Sequence, residues 1–432
     1  VNHRRRQRAR HHESAEREHG GGHGPRIDHP LVPKGEHEVL GDAGAVQAFA
    51  AHARQMGVLA YDTEFIGEES FRPRICLVQV ATPERVALLD PLAGVDPKPI
   101  YELVADPAVR TLVHAGEQDV SAAREACGGR VANVVDTQIA ASLLGLPWPS
   151  SLGTMIEHFS GLRLGKAHTF TEWDRRPLTE SQLQYAADDV RYLPMAWAEV
   201  ERQLSERGRL DWALQESEAQ LAGESEFDPD RQMRRASRGE TLRPAATTLL
   251  RELVLLRREI ARELDQPQRV VIPDAALMEL VRRKPERADA VREVRFLPKP
   301  VAGKFGDRIA ECVRAARDLP PTRDEHARLL EDSAVRARID AMWLALQARC
   351  LADDLAPNLL SSRSEFTDWC AARIARERRA RRGEPVTEPP TPFPADDWRM
   401  RAAGTWLQAF VEGKEELRLR WDSQAGAIRP AP

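Results

Sequence analysis

Between residues 57 and 91 three runs rich in Val, Ile and Leu follow one another across short polar breaks: GVLAYDTEF, RICLVQVAT and RVALLDP. Each has strand length and is bounded by turn residues, so each reads as a β-strand. TLVHAG (111–116) reads as a fourth strand, with one helix before it near 97–105 and another after it, and VANVVDT (131–137) as a fifth. Helical spacing then takes over in TQIAASLLG, SLGTMIEHF and the run from Ser181 to about Leu204. That last helix opens on Thr179 and Gln182, the spacing of a capping box. Leu183, Ala186, Ala187, Val190, Leu193 and Trp197 recur along it as a buried stripe. Strands in series, followed by alternating helices and strands, predict a mixed sheet covered by helices on both faces.

The first strand of this sheet carries Asp62 and Glu64, two positions apart and therefore on one face. Asp119 follows the fourth strand at the start of a helix. Tyr185 and Asp189 stand four apart on the long helix, again on one face. Each part has an ordinary reading. A DxE pair is commonly a solvated face, an acid in a first helical turn is favoured by the helix dipole, and a tyrosine can be a half-buried core residue. Together, four carboxylates and a phenol on three elements supply the hard oxygen ligands that divalent cations require. Two cations around a phosphodiester answer its resistance to hydrolysis, because one activates water while the other stabilises the leaving oxygen.

The segments DTEF (62–65), HAGEQD (114–119), VVDTQIAASLLG (134–145) and TEWDRRPLTESQLQYAADDVRYL (171–193) resemble, in order and spacing, the motif blocks of the DEDD 3′–5′ exonucleases. The likeness is to their tyrosine subgroup, which includes the ribonucleases D, and it spans about 150 residues. It implies a ribonuclease H-like α/β domain and two divalent metal ions, Mg²⁺ or Mn²⁺. Asp62, Glu64 and Asp189 would hold the ion that carries the attacking water. Asp62 would bridge to the second ion, supported by Asp119 directly or through water, and Tyr185 would orient the water. The family's closing block is Tyr, three residues, then Asp, which selects Asp189 over its neighbour Asp188. The products implied are nucleoside 5′-monophosphates from a free 3′ end.

Around this set, Asp136 reads as a helix N-cap and His114 as a packing or hydrogen-bonding residue beside the site and a candidate substrate contact. Phe65 is a candidate to stack on the terminal base. Lys166, Arg175 and Arg176 are candidates for substrate phosphate, with structural ion pairs as the competing assignment.

The whole chain of 432 residues has net charge −4, unevenly spread. Residues 41–204 hold 14 Lys/Arg against 22 Asp/Glu, whereas residues 249–320 hold 16 against 12. This suits an acidic, metal-dependent domain joined to a nucleic-acid-holding one. Residues 1–38, with seven of the twelve histidines, read as a disordered basic arm. The exonuclease domain is expected over 39–206 and a polar connector over 207–243. The helical run LLRELVLLRREIARELDQPQRVVIPDAALMELVRRKP places an HRDC domain at 244–320 by resemblance. A linker (321–334), a diverged second HRDC-like bundle (335–415) and a tail (416–432) complete the division.

Arg282, Arg283 and Lys284 head a basic cluster, with Arg292, Arg295, Lys299 and Lys304, able to neutralise phosphates. RNA is the expected partner, in the form of tRNA precursors and small structured RNAs with 3′ extensions. A DNA-directed exonuclease and a catalytically silent RNA-binding scaffold are the alternatives. Five scattered cysteines without a CxxC pair indicate neither zinc nor a disulfide framework. No apolar run is long enough for a membrane span, and the basic start lacks the apolar stretch of a signal. A cytoplasmic monomer is expected. A chain ending near residue 206 should keep the chemistry and lose RNA affinity.

Overall fold

The computed structural model describes residues 28–66, 74–164, 172–221, 227–238, 240, 242–321, 329, 332–388, 390–422 and 427–431. Six strands form one sheet: β1 (Glu38–Val39), β2 (Val58–Ile66), β3 (Arg74–Ala81), β4 (Val86–Leu89), β5 (Arg110–Val113) and β6 (Val134–Asp136). Their spatial order is β1-β4-β3-β2-β5-β6. β2, β3 and β4 form the antiparallel meander expected of three strands in series, while β5 and β6 join in parallel after helical crossovers. β1 pairs with β4 in parallel and was not legible in the sequence, being only two residues long.

Helices α1 (Ala43–Met56), α2 (Lys98–Val104) and α3 (Glu117–Ala126) cover one face. Phe49, Leu59, Tyr61, Val78, Val80 and Leu103 form the core between them. The opposite face, carrying Ala60, Leu77, Ala81 and Leu88, lies under α4 (Thr137–Ser142), α5 (Leu152–Ser160), α6 (Glu180–Arg191) and α7 (Leu193–Glu206). Period-two alternation along β2 thus sends apolar side chains into two different cores.

The structure departs from the sequence reading at four places. The run from Ser181 to Leu204 is two helices: it breaks at Tyr192, and Pro194 opens α7, where its missing N–H costs no helical bond. The capping box at Thr179 is present. The last residues of the presumed arm are packed: Val32 is buried, and the fully buried Arg191 donates to the carbonyls of Pro33 and Gly35 at 2.9 Å each. Residues 1–27 lie outside the described residues.

In the presumed connector, α8 (Leu210–Leu221) packs on β6 and α4, placing Ala213 and Leu221 in the cores of the sheet domain. α9 (Pro229–Ser237) instead joins the next helical unit through Met233 and Ala236. That unit contains α10 (Pro244–Leu264), α11 (Gln268–Val271), α12 (Asp274–Arg283), α13 (Ala288–Arg292) and α14 (Lys299–Asp318). It has its own core, built on Leu253, Ile260, Leu277, Phe305 and Ile309.

The last helices, α15 (Ser333–Ala352), α16 (Pro357–Leu360), α17 (Arg363–Arg381) and α18 (Thr405–Val411), pack against the sheet domain. Ile339, Leu346, Leu360, Phe366, Trp398 and Leu407 belong to the same apolar cluster as Leu143, Met155 and Val190 of the sheet domain. The tail adds a two-stranded pairing, β7 (Arg418–Asp422) with β8 (Ala427–Ala431).

Candidate active site

The site lies where β2 outruns its neighbour. β5 pairs with β2 only as far as Ala60, whereas β3 follows it to Ile66. Beyond Ala60 the β5 side of the strand is taken up by the start of α3. Thr63 donates to Asp119 Oδ1 from its backbone N–H at 3.1 Å and again from its hydroxyl. Tyr61 donates its hydroxyl to the Asp119 carbonyl. Asp62 and Glu64 stand on the other face of the same strand, toward α6. A register irregularity between Glu64 and Phe65 bends the strand at its end, the kind of bulge that re-aims side chains at a site rim.

The turn that delivers Asp119 is held from β6. Ala115 has a φ of 57°, and at Gly116 a Cβ would sit 2.4 Å from Val113 Cβ, so only glycine fits. Asp136 secures both peptides, accepting from Ala115 N at 3.0 Å and Gly116 N at 3.1 Å while capping α4 through Gln138 N at 2.8 Å. It is the predicted N-cap, with a second duty no sequence signal announced.

α6 contributes Tyr185 and Asp189, whose side chains hydrogen-bond to each other. Trp173 lies against the Tyr185 ring, with centroids 6.3 Å apart. Asp188 faces elsewhere: it accepts from Gln184 at 2.8 Å and from buried Arg191 at 3.2 Å. Asp62, His114, Leu152, Tyr185, Asp189 and Leu193 line a cavity of about 180 Å³. His114 has both ring nitrogens engaged, with Thr137 Oγ1 at 3.0 Å and the Ser150 carbonyl at 3.1 Å.

Burial raises all four acids, and repulsion from neighbouring carboxylates adds to it. Desolvation pushes Glu64 up to about 8, reinforced by Asp189 and Asp119. Burial lifts Asp189 to about 7 against the relief given by Tyr185. It lifts Asp119 to about 6 against the bonds from Thr63. Asp62 is raised well above the carboxylate range by burial and by Asp119, Asp189 and Glu64. Tyr185 is raised too, by burial and then by Asp189 and Glu64, so its phenol keeps its proton. Burial lowers His114, leaving a neutral imidazole.

Such a set favours neutralisation of its charge, which protons or hard cations can supply. Among the described residues, no three His, Cys, Asp or Glu side chains already stand at closed metal-ligand spacing. Beyond burial, Asp62, Glu64 and Asp189 are each raised by charges of other acids in the set. Their chemistry fits divalent cations with oxygen ligands.

The remaining candidates separate. Phe65 is half-buried just past the bulge. Arg176 is tied to Asp90 at 2.5 Å and to the Cys76 carbonyl at 2.8 Å, and Arg175 to Glu172 at 2.8 Å, which favours structural pairing for both. Lys166 lies outside the described residues. Arg282 and Arg283 both pair with Glu279, Arg282 also with Glu240, and Lys284 ends α12. Sequence reasoning missed Thr63, a neutral residue between two acids, and Ser217, discussed below.

Residues 38–205 match a family model described as 3′–5′ exonuclease, and residues 246–313 match the HRDC domain. The curated ribonuclease D of Gluconacetobacter diazotrophicus is 31% identical over 372 residues, covering 84% of this chain and 89% of that protein. The ribonuclease D of Xanthomonas oryzae is 33% identical over 283 residues, covering 65% and 76%. The fold is shared with the crystal structure of Escherichia coli RNase D, with a TM-score of 0.71 at 24% identity over 88% of this chain and all of that one. With identity of this order sustained along nearly the whole length of a curated relative, the chain belongs to the ribonuclease D family of 3′–5′ exoribonucleases.

Proposed function

We propose that the chain shortens RNA from its 3′ end by two-metal-ion hydrolysis, releasing nucleoside 5′-monophosphates. The observation that carries this is a small cavity lined by Asp62, Asp189 and the protonated phenol of Tyr185, with Glu64 and Asp119 near enough to Asp62 to raise it further. Asp62, Glu64 and Asp189 would hold one Mg²⁺ or Mn²⁺, and Asp62 with Asp119 the other. When bound, such cations supply a deprotonated water at neutral pH and stabilise the leaving oxygen.

The chain's own groups do the positioning. Tyr185, bonded to Asp189 and backed by Trp173, presents a fixed hydroxyl that can hold a water in line. Leu152 and Leu193 supply the apolar part of the cavity wall. His114, neutral and bonded at both nitrogens, shapes the wall and serves as no base. Phe65 would stack against the terminal base, and Lys166 would meet backbone phosphate.

Precursors of tRNA and other small structured RNAs are the proposed substrates, met by a monomer in the cytoplasm. Supporting this, the Escherichia coli neighbour is described as an exoribonuclease involved in structured RNA processing. No helix among the described residues is long and apolar enough to cross a membrane. Of the α12 cluster, Lys284 should contribute most to phosphate binding, because Arg282 and Arg283 already share a glutamate.

RNA labelled at its 5′ end, incubated with Mg²⁺ or Mn²⁺, should shorten one nucleotide at a time and release 5′-monophosphates, and EDTA should stop it. Internal fragments would refute the reading, and faster attack on DNA of the same sequence would move the substrate assignment to DNA. Tyr185→Phe removes one hydroxyl and leaves every acid in place. Its kcat should fall about 10²-fold with KM for RNA nearly unchanged, measured under single-turnover conditions.

A further inference from the structure

Glu216 is a carboxylate only 2% exposed, on α8, outside the acid cluster and far from it in sequence. Every bond it makes reaches an identifiable partner. Trp398 Nε1 donates to Oε2 at 2.7 Å, Arg399 pairs with Oε1 at 2.5 Å, and Gln220 donates to Oε1 at 2.7 Å. Trp398 is fully buried and stacks on Trp212 of the same helix, with centroids 5.7 Å apart. Arg399 is steadied by Asp397 at 3.0 Å. The segment before α18 therefore grips α8 with charge-assisted bonds inside an apolar cluster, where such bonds are strong and geometrically demanding.

The other side of α8 grips the active site. Ser217, next in sequence and fully buried, accepts at Oγ from the backbone N–H of Asp136 at 3.1 Å. Asp136 is the residue that pins the Ala115–Gly116 turn from which Asp119 emerges. At the far end of α8 the Leu221 carbonyl accepts from Arg124 Nη1 at 3.0 Å, and Arg124 lies on α3, the helix of Asp119. α8 therefore splints the start of α3, through Asp136, and its last turn, through Arg124.

We propose that Ser217 and Glu216 are positioning residues for Asp119, and that Trp398 and Arg399 make the C-terminal helices a working part of the catalytic domain. The chain of contacts runs from Trp398 and Arg399 to Glu216, along α8 to Ser217, then through Asp136 to the turn before Asp119. Its function is rigidity: an acid displaced by a fraction of an ångström no longer completes a cation site. The inference rests on the reading of Asp119 as a ligand acid.

The test uses the full-length protein carrying Ser217→Ala or Glu216→Gln, with Asp119→Asn as reference and Ile309→Ala, in the separate core of α9–α14, as a destabilised control. Melting temperature, kcat, KM for a short RNA and Mn²⁺ affinity by calorimetry are measured for each. Ser217→Ala and Glu216→Gln should weaken Mn²⁺ binding and lower kcat by about tenfold to a hundredfold, the loss typical of groups that orient metal ligands, with KM for RNA unchanged. Ile309→Ala should lower the melting temperature and leave kcat and Mn²⁺ affinity unchanged.

Unchanged kcat and Mn²⁺ affinity in Ser217→Ala would overturn the proposal, even if Glu216→Gln fails to fold. Equal losses in Ile309→Ala at matched melting temperature would also overturn it. Full activity in Asp119→Asn would instead overturn the reading of the site on which the relay depends.

Discussion

Asp62→Asn is expected to abolish hydrolysis and, in the same protein without metal, to raise the melting temperature. Both outcomes follow from one fact: the carboxylate is buried and sits among Asp119, Asp189 and Glu64, so its charge is disfavoured there in the absence of cations. Replacing it with an isosteric neutral amide removes the ligand shared between the two proposed cations and also the repulsion. Activity should fall by at least about 10³-fold, since a charge stabilising the transition state is lost outright.

The pH dependence has a definite sign. Glu64, Asp189 and Asp119 have folded-state values of about 8, 7 and 6, above ordinary carboxylates. The folded state therefore holds more protons than the unfolded state between roughly pH 4 and 8, and stability falls as pH rises through that window. The destabilisation from these three is absent below the unfolded values near pH 4 and develops up to about pH 8, and Asp62, raised well above the carboxylate range, acts in the same direction.

In EDTA, the difference in melting temperature between Asp62→Asn and wild type should accordingly widen from pH 5 to pH 8. Adding Mn²⁺ should reverse it, stabilising wild type most at the higher pH because cations there displace fewer protons. A metal-free variant that melts at or below wild type at every pH would show that the acids are not in electrostatic conflict.

The acids were legible because their spacing matches the elements that carry them. Asp62 and Glu64 follow the period of a strand, and Tyr185 and Asp189 that of a helix. Asp188 was separable from Asp189 only by the motif, and the structure gives the physical difference, a bond to Arg191 rather than a view of the cavity. The supports were not legible. Thr63 and Ser217 are small neutral residues whose value lies in which backbone or carboxylate they meet, and no periodicity encodes that.

The break at Tyr192 was hidden because the apolar stripe continues through Leu193 and Trp197 into the next helix. The packing of the C-terminal helices was hidden for a related reason. An amphipathic stripe reports that a face is buried and says nothing about its partner, so the sheet domain was not legible as what these helices pack against. α8 suffered most: its polar residues suggested a connector, yet two of them, Glu216 and Ser217, are buried with partners.

The second large effect follows from that packing and reverses the expectation that a chain ending near 206 keeps its chemistry. Ending at Glu206 removes α8, and with it the Ser217 bond to Asp136 and the Leu221 carbonyl that holds Arg124. Ending at Pro321 keeps α8 and the HRDC helices but uncovers a broad apolar face. Ala356 N–H no longer meets the Ser142 carbonyl, and Arg209 loses the Asp353 carbonyl at 2.7 Å. Glu216 becomes a buried-side carboxylate without Trp398 or Arg399.

Loss of Trp398 packing alone is worth about 3–5 kcal/mol, which lowers the melting temperature of a domain this size by on the order of 10 °C. The remaining contacts add to it. Both shortened chains should therefore melt far below the full protein, expose apolar surface to a fluorescent dye, and show kcat reduced even at a temperature where they remain folded. If the chain ending at Pro321 kept the melting temperature and kcat of the full protein and lost only RNA affinity, the C-terminal helices would be a detachable RNA-holding module. The shared core argues for the other outcome, in which catalysis requires residues more than 200 positions beyond the last acid of the site.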